Sequence, residues 1–157
     1  MQKTPMTQHG YNLLEQELKH LKQKVRPQVI QDISEARSHG DLSENAEYDA
    51  AKEKQSFTEG RIKEIEYKIS HSAVINPKEH QADGKIIFGV SVTIQDTDTE
   101  IETTYQIVGE DESDIKSFKL SVNSPLAKSL IGREEGDTVE VRTPNGVKEY
   151  EIIKIIF

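Results

Sequence analysis

Apolar residues recur at Leu14, Leu18, Leu21, Val25, Val29, Ile33 and Ala36, in steps of three and four with charges between them. That spacing lays one narrow apolar stripe along a helix, as at a coiled-coil seam. It predicts a helix from a cap at Thr7, just after Pro5, to about His39, with Gly40 beyond its end where a positive φ is often required. A second stripe, Ala46, Ala50 or Ala51, Phe57, Ile62, Ile65 and Ile69, predicts a helix from about Leu42 to Ser72. Folding back about Gly40–Leu42 pairs Leu14 with Ile69, Leu18 with Ile65, Leu21 with Ile62, Val25 with Phe57, Ile33 with Ala50 and Ala36 with Ala46. Partner numbers then add to 82 or 83 throughout, the near-constant value an antiparallel pair requires. At ~1.5 Å rise, each arm is roughly 45 Å long. Pro27 removes a backbone donor and should bend the first arm. Gly60 costs the second about 1 kcal/mol against alanine.

After Asn76-Pro77 the period changes to alternation. Lys85–Gln95, Ile101–Val108, Ser117–Val122, Thr138–Thr143 and Val147–Phe157 are predicted strands. Ser124–Ile131 opens with Ser-Pro and reads as one short helix, and Pro144-Asn145-Gly146 as a hairpin turn. The chain is thus expected to be α+β: a helical hairpin over residues 1–76 with its tip near 38–45, a linker at 77–84, and a small β-rich domain over 85–157.

Composition narrows the function classes. Hydrophobic residues make up 34% of the 157 positions and charged ones 31%, which suits long solvated faces better than one large core. Cysteine is absent, which excludes disulfides, thiolate zinc sites and cysteine nucleophiles. The first residues carry no apolar targeting segment and no run approaches membrane-spanning length, so a cytoplasmic protein without a membrane partner is expected. Net charge is −8, concentrated in the second half. A broad basic footprint for nucleic acid is therefore lacking, and any such role must be local or delegated to a partner.

Signatures for dinucleotide folds, P-loops, zinc proteases and serine hydrolases are all missing. The five histidines have no ligand spacing, and only His39 stands out, because it lies at the hairpin turn. The turn itself carries Asp41, Glu44, Glu47 and Asp49. Asp41 as N-cap and Glu44 three residues on would form a reciprocal capping box. Alternatively, two close carboxylates at an exposed end suit Mg²⁺, which keeps several waters and takes one or two protein carboxylates. Two carboxylates cannot build a strong site alone, but could complete one whose other ligands come from elsewhere. Arg37 and Lys52 flank the tip, either as solvated helix charges or to steady phosphates. Tyr48 and Phe57 read as seam or tip packing.

The run HGDLSENAEYDAAKEKQ (39–55) resembles the N-terminal signature of the bacterial Gre transcript-cleavage factors, and SVNSPLAKSLIGREEGD (121–137) their second signature. The opening PMTQHGYNLLEQEL is similar to the way that family begins, and the acidic balance fits its less basic branch. The resemblance implies an antiparallel coiled coil followed by an FKBP-like domain. It implies binding to RNA polymerase, with the globular domain at the rim of the secondary channel and the coiled coil inside it. Asp41 and Glu44 would there help hold a Mg²⁺ of the polymerase active site and its water, so that the polymerase cuts the 3′ end of backtracked nascent RNA. The factor would have no cofactor of its own, would not itself be an enzyme, and would be monomeric. Arg37 and Lys52 match the family's basic patch near the RNA 3′ end, with Lys52 standing where arginine is frequent. Ser121, Asn123, Ser124 and Pro125 match its polymerase-docking loop. Two other readings are a channel-binding regulator that does not stimulate cleavage, and a prolyl isomerase-like domain suggested by fold alone.

Overall fold

A computed structural model of the chain describes residues 3–40 and 45–157. It divides into two compact units, Tyr11–Ser72 on one side and Met1–Gly10 with Ala73–Phe157 on the other. Among the described residues no helix is long and apolar enough to cross a membrane.

The first unit is the expected helical hairpin. Its outgoing arm comprises α1 (Gln8–His20), a π-turn over Leu21–Val25 and α2 (Arg26–Ser38), and its return arm is α3 (Ala46–Ser70). The π-turn explains an irregularity in the stripe. Strict alternation of four and three from Leu14 runs through Leu18, Leu21 and Val25 and would then reach Gln28. The buried residues are instead Val29, Ile33 and Ala36, one position later. A π-turn contains one extra residue, here seen as Arg26 N–H donating to Leu21 O five residues back. Pro27 follows in the first turn of α2, where its missing N–H is tolerated. The expected disturbance at Pro27 therefore takes the form of a widened turn ahead of it.

On α3 the inward positions are Tyr48, Ala51, Gln55, Thr58, Ile62, Ile65 and Ile69, a strict alternation of threes and fours. This corrects the predicted stripe. Phe57 is 78% exposed, and Ala46 and Ala50 are exposed too, while Thr58 is buried. Periodicity decided the seam over side-chain apolarity, so two polar residues entered it and a phenylalanine was left outside. Val29, Ile33 and Ala51 form the buried cluster nearest the tip, with Val25 and Tyr48 packed against it. Ion pairs tie the arms along their flanks. Arg26 meets Glu59 through two bonds of 2.9 and 2.8 Å, and Arg61 meets Glu17 through two of 2.6 and 2.7 Å. The Arg61 guanidinium holds the Glu17 carboxyl below its ordinary range. Paired, two-bond geometry makes these contacts more directional than ordinary surface ion pairs.

The second unit carries a five-stranded sheet in the order β5-β4-β3-β7-β6. Its strands are β3 (Ser91–Asp96), β4 (Glu102–Val108), β5 (Lys119–Ser121), β6 (Thr138–Thr143) and β7 (Gly146–Ile156). All neighbours are antiparallel except β4 and β5. The core packs Val92, Ile94, Ile107, Leu120, Val139 and Ile152 against Ala127 and Leu130 of α4 (Pro125–Leu130). The first predicted strand is shorter than expected. Ile86, Phe88 and Val90 are buried but precede β3, because Gly89 has φ 93° and breaks the extended run. Ile86 instead bonds the loop after α4, donating to Arg133 O at 2.8 Å and accepting from Gly132 N at 2.8 Å. The expected linker 77–84 contains a 3-10 helix, Pro77–Asp83, capped by the Asn76 side chain.

The expected boundary also moves at the N-terminus, because residues before α1 belong to the sheet unit. β1 (Thr4–Met6) pairs with β2 (Ser72–Val74), and Ile75 N–H donates to Met6 O at 3.1 Å. Thr7 caps α1 as predicted, its hydroxyl accepting from Gly10 N at 3.0 Å. The Glu112 carboxylate then fastens this segment, accepting from Thr7 N at 3.2 Å, from the Thr7 hydroxyl and from Gly109 N at 3.1 Å. A Cβ on Gly10 would fall inside that carboxylate. Gly10→Ala should therefore displace the Glu112 carboxylate, and the about 1–3 kcal/mol lost with its donors unpaired is partly offset by about 1 kcal/mol of helix propensity gained in α1. Urea denaturation followed by circular dichroism would measure the loss.

Candidate functional site at the hairpin tip

The outgoing arm ends at Ser38, with His39 as C-cap donating its N–H to Ala36 O at 3.2 Å. Gly40 follows with φ 117°, a conformation that side chains resist, so a glycine is needed where the chain leaves the helix. Asp41 and Glu44, the two expected metal-holding acids, lie outside the described residues. The return arm starts at Ala46, with Asn45 as N-cap in extended backbone and its Oδ1 accepting from Tyr48 N at 3.1 Å. This corrects the predicted helix start at Leu42, since α3 takes its cap from Asn45. The predicted Asp41–Glu44 capping box lies outside the described residues.

The other expected site residues are placed around this turn. Arg37 is exposed in the last turn of α2, its guanidinium carbon 5.9 Å from the centre of the Tyr48 ring, within cation–π range. Lys52 is exposed nearly two turns into α3 and donates to Gln55 Oε1 at 3.1 Å. Both cations are solvent-accessible, and among the described residues neither is bound in a buried ion pair. Glu47 and Asp49 lie in the first turn of α3, where negative charge complements the helix dipole. His39 Nδ1 meets Glu47 Oε2 at 3.0 Å. Asn45 adds a further link, its Nδ2 donating to Ala36 O at 2.6 Å. Neither Asn45 nor the His39–Glu47 pair was singled out as a site from the sequence. The available signal was an asparagine immediately before a helix, the residue type best suited to an N-cap. No group of three or more metal-ligating side chains occurs among the described residues.

In the sheet unit, the four expected docking residues form one turn leading into α4. Ser124 caps that helix, accepting from Ala127 N at 3.2 Å and donating to Ser121 O at 2.7 Å. Ser121 Oγ accepts from Asn123 N at 3.1 Å, and Asn123 Nδ2 reaches Glu110 Oε2 at 3.2 Å. Pro125 occupies the first helical position, where its fixed φ helps. The structure thus brings Ser121, Asn123, Ser124 and Pro125 together in one hydrogen-bonded surface turn. Nearby, a cavity of about 380 Å³ is lined by residues 3–6, 109–112, Val122 and Asn123, without an aromatic side chain.

A helical hairpin with an acid-bearing turn, joined to a small sheet unit, defines the architectural class. The model for the N-terminal domain of transcription elongation factors matches residues 4–74, and the GreA/GreB C-terminal model matches residues 81–157. The chain is 61% identical to transcription elongation factor GreA of Neisseria meningitidis, over 99% of this chain and 98% of that one. It is 57% identical to GreA of Halorhodospira halophila over the same shares. Among solved structures, the GreA factor homolog 1 protein of Thermus thermophilus aligns at 24% identity with a TM-score of 0.44, covering 99% of this chain and 100% of that one. The chain belongs to the GreA/GreB family of transcription elongation factors.

Proposed function

We propose that this protein is a cytoplasmic, monomeric factor that binds RNA polymerase and stimulates the polymerase's own Mg²⁺-dependent cleavage of backtracked RNA. The reading is supported by the place of Asp41 and Glu44 in the sequence, between the two arms of a hairpin whose return helix takes its cap from Asn45. α3 therefore needs neither acid as its N-cap. Two carboxylates on the end of a hairpin are too few to hold Mg²⁺ alone, and sufficient to complete a site begun by another protein. In two-metal hydrolysis the ions activate the attacking water and stabilise the leaving oxygen. Asp41 and Glu44 would add ligands to one such ion and orient its water, while catalysis remains with the polymerase.

The remaining residues take supporting parts. Arg37 and Lys52 would steady phosphates of the RNA 3′ end, with Lys52 acting as a point charge where an arginine would make two directed bonds. The turn over Ser121, Asn123, Ser124 and Pro125 would contact polymerase at the rim of its secondary channel. Their mutual hydrogen bonds keep that turn in one shape before binding, which lowers the entropy cost of docking.

The test is to add the protein, with Mg²⁺, to an elongation complex halted in a backtracked state. Release of short 3′ RNA fragments supports the reading. Binding without release would make the protein a non-cleaving regulator instead. The isomerase reading predicts turnover of a proline peptide, which the cleavage reading does not.

A further inference from the structure

Four cations along the arms of the hairpin are paired with carboxylates: Arg26 with Glu59, Arg61 with Glu17, Lys22 with Glu66 and Lys68 with Glu64. The two nearest the turn are held differently. Lys52 donates to the neutral amide oxygen of Gln55 at 3.1 Å, and the Arg37 guanidinium lies 5.9 Å from the centre of the Tyr48 ring. Neither is paired with a carboxylate among the described residues.

The kind of partner decides what the cation can still do. A carboxylate fixes an arginine but cancels its charge and occupies two of its five N–H donors, as at Arg26 and Arg61. An aromatic face attracts the guanidinium through the ring quadrupole and takes no donor. It confines the cation and leaves its charge and its N–H groups to an anion.

Tyr48 is suited to that support. It lies in the first turn of α3, its N–H donates to Asn45 Oδ1 at 3.1 Å, and it packs on the cluster Val29, Ile33 and Ala51. Ile62, Ile65 and Ile69 continue the same stripe with aliphatic groups, so seam packing alone does not require a ring. Arg37 is exposed, and without a partner its long side chain would be spread over many rotamers.

We propose, resting on the cleavage reading given above, that Tyr48 is a positioning residue for Arg37. Its ring holds the guanidinium beside the turn with the charge uncompensated, ready for a phosphate of the RNA 3′ end. A guanidinium already confined has less freedom to lose when it meets that phosphate. The expected contribution is that of an exposed cation–π contact, about two- to fivefold in rate.

The experiment measures the maximal rate of fragment release by the full chain on the halted, backtracked complex, at saturating factor. Tyr48→Leu keeps an apolar side chain for the seam and removes the ring. It should lower the rate about two- to fivefold at unchanged helical circular dichroism. Tyr48→Phe keeps the ring and should restore the wild-type rate. In an Arg37→Ala background, Tyr48→Leu should cause no further loss, because a residue that acts only through another is not additive with it. Full additivity in that cycle overturns the proposal, as does a wild-type rate in Tyr48→Leu or an equal loss in Tyr48→Phe. Should the leucine variant misfold, the wild-type protein decides: NMR should find the Arg37 side-chain protons shifted upfield by the ring, and unshifted protons overturn the proposal. A wild type that releases no fragments removes the cleavage reading and the proposal together, whereas an active wild type without these effects removes the proposal alone.

Discussion

Replacing both tip acids by their amides, Asp41→Asn with Glu44→Gln, should lower maximal stimulation of RNA cleavage at least about hundredfold and leave binding to polymerase intact. The change is nearly isosteric and removes two negative charges. Amide oxygens are weaker ligands for a hard cation such as Mg²⁺, so the metal would lose the contribution the factor adds. Folding should be unaffected, because α3 is capped by Asn45 and its first turn keeps Glu47 and Asp49. Each single variant should retain an intermediate activity, since one carboxylate still reaches the ion. Fragment release and complex formation, measured on the same preparations, separate the two effects. Loss of both together would indicate that the acids dock the protein, and loss of neither would leave them without a catalytic part.

The second large effect is structural. Ile94→Ala should destabilise the sheet unit by about 2–5 kcal/mol, a large share of the stability of an ordinary domain. Ile94 lies on the central strand β3, is 1% exposed and faces Ile152 on β7 across a register shift after Thr93. Truncation leaves a cavity in the core that Ile94 shares with Ile152, Ala127 and Leu130. The expected result is a lower urea midpoint for the sheet unit with little change in slope. Binding to polymerase should fail with it if the turn before α4 is the docking element.

Both units were legible in the sequence because the apolar period changes from 3.5 to 2 at Asn76-Pro77. The stripe on the outgoing arm was found in full. Its irregular step at Val25–Val29 was visible too, but its cause was not, because a π-turn leaves no mark of its own in composition. On α3 the choice of Phe57 over Thr58 placed apolarity above spacing, and the structure reverses that choice. Ile86, Phe88 and Val90 alternate as a strand would, yet Gly89 ends the extended geometry among them. Thr4–Met6 carried no strand signal, since three residues are too few for a period. At the tip, spacing put Arg37 and Lys52 beside the turn, where the structure has them, whereas Asp41 and Glu44 lie outside the described residues. The ties through Asn45 and Glu47 could not, because they depend on how two helix ends meet across a turn.

The central claim is that the hairpin delivers two carboxylates that complete a Mg²⁺ site in polymerase. The most direct measurement is the Mg²⁺ dependence of fragment release from a backtracked complex, with and without saturating factor. Added ligands must strengthen the site, so the account predicts half-maximal cleavage at a lower Mg²⁺ concentration with the wild-type protein. With the D41N and E44Q double variant the midpoint should return to that of polymerase alone. Stimulated cleavage at an unshifted Mg²⁺ midpoint, or a shift that survives removal of both carboxylates, would contradict it.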